Sequence, residues 1–231
     1  MKHLPAVIIW AVSFAFVEAA VVEYLRALYY PLDRGGFCFP LLTLEQLNNL
    51  GEDHWRRLVI EVGREWSTLV MLAMVGIVAA RNRREAWAHF MVAFAVWDIF
   101  FYVWLKVFLG WPPSLMTWDL LFLIPVPWVA PVLAPVLISV AMLTAGIVVL
   151  FFESRERPLA PSSLDWGIIT GGGITVIVSF CIDYRNVTAG GLPNPFNWPL
   201  FFAGLGTAAV TFALVVRREL SQRAASVRPV Q

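Results

Sequence analysis

The sequence predicts an all-α, polytopic membrane helix bundle with six transmembrane helices, a short outer amphipathic helix and a Pro-rich re-entrant segment. Of the 231 residues, 59% are hydrophobic and only 14% are charged, and the mean hydropathy is +0.72, unlike a soluble domain. Apolar runs of about 20 residues, enough to cross a hydrocarbon core of about 30 Å as helix, recur along nearly the whole chain. We therefore expect a single integral membrane domain over residues 1–231.

Six spans account for these apolar runs. The first run begins close to Lys2 and has no small-residue cleavage site, so we interpret it as a retained span rather than a removable signal peptide. Clusters of glycine in the last two spans predict that those two helices pack closely against a neighbour. The predicted spans are 5–29, 56–80, 86–109, 128–152, 165–184 and 198–216.

Two of the segments that connect the spans are predicted to form a short helix and a re-entrant segment. Between the first two spans, the capping-box pattern Thr43–Gln46 and a stop at Gly51 predict a short amphipathic helix on the outer surface. After the third span, Pro112 and Pro113 stop the helix, while the apolar stretch 120–124 precedes more prolines. We expect this second segment to dip into the membrane and to form part of a cavity wall.

Basic residues in the short loops predict the orientation. They gather on one side of the predicted bundle together with Lys2, which places both termini in the cytoplasm of a cell with a bacterial-type plasma membrane. Because the basic residues are dispersed among loops, nucleic acid is excluded as a partner. The lipid bilayer is the expected partner, and other membrane subunits remain open. The loop and tail residues concerned are Arg81, Arg83, Arg84, Arg155, Arg157, Arg217, Arg218, Arg223 and Arg228, whereas Arg34, Arg56 and Arg57 lie on the other side among acidic residues.

Acidic residues inside the apolar runs indicate where function lies. Glu18, Glu61, Glu65 and Asp98 all fall within predicted spans. A charged group at membrane depth costs about 2.5 to 3.5 kcal/mol on insertion scales, so each needs a partner, a proton or a water-filled cavity. A rise of about 1.5 Å per residue places Glu18, Glu65 and Asp98 at similar depth in the outer half.

The spacing of residues along the predicted helices adds two further residues, Arg64 and Tyr102, to the acidic ones. Glu61 and Glu65 share one helix face, with Arg64 close enough to pair with Glu61, and Asp98 lies one turn before Tyr102. We expect the polar stripes of the first three spans to face one another. The candidate binding residues are therefore Glu18, Glu61, Arg64, Glu65, Asp98 and Tyr102.

The candidate site has the chemistry of carboxylates rather than of a known catalytic motif. Glu18, Glu65 and Asp98 are candidate ligands of a hard divalent cation, and no other cofactor is predicted. The histidines at 3, 54 and 89 fall at mismatched depths, which argues against haem. No nucleophile motif or zinc-protease helix is present, so catalytic residues are unassigned and the question of enzyme activity stays open.

Three functions fit this pattern. The first is the handling of a proton, a cation or a small substrate at the outer-half carboxylates. The second is a structural or accessory subunit of a larger membrane complex, whose charges, such as Asp98 with Lys106 or Glu23 with Arg26, simply pair. The third is a membrane enzyme that acts on a lipid or isoprenoid with a carboxylate as acid or base.

The only two cysteines, Cys38 and Cys181, are both expected near the outer side. An outer compartment of this kind is oxidising, so a disulfide between them is a candidate. If they lie apart, each is a small buried hydrophobic residue.

Overall fold

The computed structural model describes the backbone of residues 2–29 and 52–226, and the side chains of residues 2–26 and 56–222. Most of this part is helical, with six long helices, one short helix and one pair of strands. The elements are α1 (Leu4–Tyr29), α2 (Glu52–Val78), α3 (Arg83–Leu109), β1 (Trp118–Phe122), β2 (Trp128–Pro131), α4 (Leu133–Ser154), α5 (Ser163–Cys181), α6 (Tyr184–Thr188) and α7 (Trp198–Ser226).

Five of the described helices are long and apolar enough to cross a membrane, which fits an integral, multi-pass membrane protein. The remaining long helix, α2, corresponds to the predicted second span but is not among these five. Glu61, Arg64 and Glu65 all lie in its middle, and they lower its apolar character. The prediction that α2 is a sixth span is therefore not confirmed. The predicted outer helix around Thr43–Gln46 lies outside the described residues.

The helices form two groups around a central helix. Helix α3 packs against α1, α2 and α4, whereas α5 packs mainly against α7. The two groups meet where β2 touches both α4 and α5, and through limited contact between α4 and α7. This arrangement leaves space between the α3 group and the α5–α7 pair.

The pairing of α5 with α7 depends on two glycines. A Cβ added at Gly172 would lie 2.7 Å from the carbonyl oxygen of Gly204, and one added at Gly204 would lie equally close to the carbonyl of Gly172. The helices therefore approach each other closely at this point, as predicted. A Cβ at four other glycines of the predicted close-packing faces, Gly167, Gly171, Gly173 and Gly206, would meet nothing within 4 Å.

The all-α prediction is wrong at residues 118–131. Strands β1 and β2 form an antiparallel hairpin in which Trp118 pairs with Pro131 and Asp119 with Ala130. The prolines at 125 and 127 lie in the turn between the strands, and Pro131 ends the second strand, where its missing N–H disturbs the ladder least. Helix α4 consequently begins at Leu133 and not at residue 128.

Local signals set the ends of several helices. Asn82 caps α3, since its side-chain oxygen accepts a hydrogen bond from the Glu85 backbone N–H at 3.0 Å. Gly110 ends α3 with a φ of 67°, a left-handed conformation that glycine adopts without strain. Ser162 and Asp165 form a reciprocal capping box at the start of α5. The predicted fifth span at 165–184 is divided between α5 and the short α6.

Candidate functional site

A large cavity occupies the space between the two helix groups. Its volume is about 1680 Å³, above the range of about 300 to 1,000 Å³ that is usual for small-molecule sites. Its walls come from α1, α2, α3, α4, α5 and α7 and from the hairpin, and most of the lining side chains are apolar. All six candidate residues line it: Glu18, Glu61, Arg64, Glu65, Asp98 and Tyr102.

Helices α1 and α2 are joined by an ionic triad on the cavity wall. The Nε atom of Arg64 donates to Glu61 at 2.9 Å, and the guanidinium also forms an ion pair with Glu18. The hydroxyl of Thr68 donates to Glu18 at 3.4 Å. Because Glu18 is only 7% exposed, its charge is compensated chiefly by Arg64.

Glu65, one turn after Glu61, contacts the hairpin instead of a basic residue. Both of its carboxylate oxygens accept a hydrogen bond from the backbone N–H of Leu123, at 3.0 and 2.9 Å. Its side chain is buried, and within the described part of the chain it forms no ion pair. Glu65 thus links α2 to the turn of the hairpin and has only a neutral partner.

Asp98 on α3 also has only a neutral partner among the described residues. Its Oδ2 atom accepts a hydrogen bond from the hydroxyl of Ser139 on α4, at 2.8 Å. The ion pair with Lys106 that would make Asp98 purely structural is not formed, because the Lys106 ammonium donates to the carbonyls of Gly110 and Pro112, each at 2.9 Å. Lys106 therefore holds the chain that follows α3.

A second polar cluster lies where α3 meets the hairpin. The Tyr102 hydroxyl donates to Asp119 at 3.0 Å, and the Arg26 guanidinium lies 3.6 Å from the other oxygen of Asp119. The same guanidinium lies over the ring of Trp111, 4.0 Å from its centroid. All three members of this cluster, Tyr102, Asp119 and Arg26, line the cavity, so it connects α1, α3 and β1 around the same space.

Sequence reasoning missed two members of this site. The structural alternative pairs Arg26 with Glu23, yet Arg26 is 7% exposed and pairs with Asp119. Asp119 lies in the segment predicted to be re-entrant and is not among the six candidate residues. One signal could have found it: the dipeptide Trp-Asp occurs both at 97–98 and at 118–119, and both aspartates line the cavity.

The polar end of the cavity is predominantly acidic. Five carboxylates line it, against three guanidinium groups at that end. Glu65 and Asp98 have only neutral hydrogen-bond partners in the described residues. Burying a carboxylate that has no ion-pair partner is costly, although the nearby charge of Arg64 offsets part of this cost for Glu65. Both carboxylates are therefore suited to a proton or to a donating or cationic group.

The opposite end of the cavity carries basic and aromatic residues. Arg83 and Arg84, the first two residues of α3, line it together with Trp87 and Trp166. Arg84 lies 14 residues before Asp98, so the two ends are about 21 Å apart along the helix axis. Between the two ends the α3 wall contributes apolar side chains, among them Phe90, Met91 and Phe94.

Two of the predicted sites are not tested by this geometry. No group of three His, Cys, Asp or Glu side chains suited to a metal ion occurs among the described residues, and the cation site at Glu18, Glu65 and Asp98 stays a prediction. The disulfide prediction also stays open, because Cys38 lies outside the described residues. Comparisons with protein-family models, with curated proteins and with solved structures found no match for this chain.

Proposed function

We propose that this protein binds a lipid-sized amphiphile in the cavity and holds a hydrogen-bond-donating or cationic group of that molecule at Glu65 and Asp98. The observation that carries the proposal is the combination of a cavity of about 1680 Å³ with two buried carboxylates whose hydrogen-bond donors in the described residues are neutral. This is the substrate-handling function expected from the sequence, with the occupant narrowed to an amphiphile.

The size and lining of the cavity support an apolar body for the occupant. The walls contributed by α5 and α7 consist of apolar side chains and glycine, including Phe180, Leu205 and Phe212. Burying apolar surface contributes about 25 cal/mol per Å², so a long hydrocarbon chain gains most of its binding free energy from such walls. A small inorganic ion would leave most of the space without a partner.

The polar end supports a group that donates hydrogen bonds. An ionised carboxylate accepts hydrogen bonds and cannot donate them, so Glu65 and Asp98 favour an ammonium or a hydroxyl over an anionic group. Aromatic residues near Asp98, notably Trp97, Phe101 and Tyr102, also line the cavity, and their ring faces attract cations. Proton uptake by the same two carboxylates would compete with such a ligand.

A native mass spectrometry experiment on the full chain in detergent tests this proposal. The probes are octadecylamine and methyl stearate, which share a long chain but differ in whether the polar group can donate. We expect the amine to occupy the protein about tenfold better, since a charge-assisted contact contributes about 1.5 to 3 kcal/mol. Glu65→Gln combined with Asp98→Asn should remove that preference and leave the binding of methyl stearate unchanged.

Two further variants make the test selective. Glu23→Gln removes a carboxylate of α1 that does not line the cavity, so it should keep the preference for the amine. Ala145→Trp fills space on the α4 wall of the cavity and should weaken the binding of both probes. If Ala145→Trp leaves both probes bound as in the parent chain, the cavity is not the binding site and a structural subunit becomes the better explanation.

Enzymatic chemistry is the second candidate, and the same two carboxylates favour it. Glu65 on α2 and Asp98 on α3 face one apolar cavity, an arrangement in which one carboxylic acid can donate a proton to a bound lipid or isoprenoid and a carboxylate can accept one. Such paired proton transfers isomerise the lipid without changing its mass, so turnover would appear as a change in the chromatographic retention of the recovered lipid that is lost in Asp98→Asn but retained in Glu23→Gln.

We also propose how the helices and the termini are oriented in the membrane. We infer that α2 is the sixth span, that the hairpin is the re-entrant element, and that both termini face the cytoplasm. Packing of α2 along α3 and the clustering of arginines at the Arg83 end support this arrangement. Labelling of Ser163→Cys and Leu192→Cys, each in a background without Cys38 and Cys181, by a membrane-impermeant thiol reagent tests it, since both positions are exposed. Only Leu192→Cys should react from outside.

A further inference from the structure

We propose that Arg83 and Arg84 form a second recognition site, which binds the phosphate group of the same amphiphile. This inference rests on the proposed function and specifies the substrate class as a long-chain lipid phosphate. Its phosphate would lie at the Arg83 end, its chain would extend through the cavity, and the donating group of the proposed function would lie at the far end of that chain, at Glu65 and Asp98.

The two arginines are accessible to such a ligand. Arg84 forms a long ion pair of 3.8 Å with Glu153, but its side chain is 60% exposed, so a phosphate can approach its other N–H groups. Arg83 is exposed and forms no ion pair within the described part of the chain. Both line the cavity, whereas the nearby Arg81 is engaged by Glu85 through several hydrogen bonds and does not line it.

The surroundings of the arginines match the membrane interface. Trp87 and Trp166 line the same end of the cavity and are 66% and 56% exposed, as is typical of indoles that lie at the level of lipid headgroups. Guanidinium groups bind phosphate oxygens in pairs of parallel hydrogen bonds, and the first turn of α3 adds the favourable end of the helix dipole. A lipid phosphate can therefore reach these residues directly from the bilayer.

The length of the cavity restricts the chain that follows the phosphate. From Arg84 to Asp98 the helix rises about 21 Å, more than the roughly 15 Å of hydrocarbon in one leaflet. Along this path α3 presents Trp87, Phe90 and Phe94, and α7 presents Phe212 and Val215, all apolar. A long acyl or isoprenoid chain fills this path, while a free phosphate would use only its end.

Competition between lipids of equal chain length tests the inference. The full-length protein in detergent is given dioleoyl phosphatidic acid and dioleoylglycerol, which differ only in the phosphate, and occupancy is measured by native mass spectrometry. We expect the phosphatidic acid to bind better by about fivefold for each arginine, or about twenty-fivefold in total. Arg83→Gln with Arg84→Gln should abolish this difference.

The matched control removes two other arginines at the same end of the bundle. Arg155→Gln with Arg217→Gln changes the net charge equally, but neither residue lines the main cavity. This variant should retain the preference for phosphatidic acid. Equal loss in both double variants would overturn the inference, because it would show general attraction of anionic lipids to a basic surface. Displacement of phosphatidic acid by millimolar inorganic phosphate would overturn it in favour of a free anion site.

Failure of this inference is separable from failure of the proposed function. If the arginine variant is neutral but Glu65→Gln with Asp98→Asn still abolishes the preference for octadecylamine, only the phosphate site is refuted. If Ala145→Trp leaves both octadecylamine and dioleoylglycerol bound, the cavity itself is refuted as the lipid site.

Discussion

Replacement of Arg64 by methionine should be among the most destabilising changes on the cavity wall. Arg64 joins Glu61 and Glu18, and the Glu18 side chain is only 9% exposed. Removing one partner of a buried ion pair costs about 3 to 5 kcal/mol, because it leaves a carboxylate buried without compensation. Since about a fifth of the side-chain surface of Arg64 and of Glu61 remains exposed, we expect the lower end, about 3 kcal/mol.

Unfolding by sodium dodecyl sulfate in mixed micelles, followed by tryptophan fluorescence, measures this loss. Arg56→Met on the same helix is the control, because Arg56 is exposed and does not line the cavity, and it should change the free energy of unfolding by less than about 0.5 kcal/mol. Adding Glu18→Gln to Arg64→Met should recover part of the stability, since it removes one uncompensated charge. The reasoning is refuted if Arg64→Met costs no more than Arg56→Met, or if the double variant is less stable than Arg64→Met alone.

Two further predictions concern contacts that shape the cavity. Gly172→Val should cost about 1 to 3 kcal/mol in the same unfolding assay, because its Cβ would meet the carbonyl of Gly204 at 2.7 Å, whereas Gly167→Val, which meets open space, should be nearly neutral. Tyr102→Phe should cost about 1 to 3 kcal/mol by removing the hydroxyl that donates to Asp119. The cost should shrink in an Asp119→Asn background; equal costs in the two backgrounds would show that the hydrogen bond is not the cause.

The sequence predicted the helical part of this fold well because its signals are local. Runs of apolar residues long enough for a membrane span depend on short stretches of chain, and five of the six predicted spans correspond to helices that are long and apolar enough to cross a membrane. The hairpin was missed because a short apolar run flanked by prolines is equally compatible with a strand and with an irregular segment. The pairing of Trp118 with Pro131 identifies the segment as a strand, and this pairing joins two residues that are distant in the sequence.

The candidate site was predictable to the extent that depth and helix face determine it. All six predicted residues line one cavity, since helices that carry a polar stripe turn it away from lipid. Their actual partners were not predictable, because Asp98 bonds to Ser139 and Glu65 to the backbone of Leu123 across 41 and 58 residues of sequence. Such partners depend on how helices are rotated against each other, which spacing along a single helix does not specify.

The two helix groups contribute different kinds of side chain to the cavity, and this difference supports the binding proposal. Helices α1, α2 and α3 and the hairpin supply every carboxylate of the cavity, whereas α5 and α7 supply only apolar side chains and glycine. Recognition of polar groups should therefore reside in the first group and selection of chain length in the second. Changes such as Phe212→Ala on α7 should alter which chain lengths bind without altering the preference for a donating group, and changes at Glu65 or Asp98 should do the reverse.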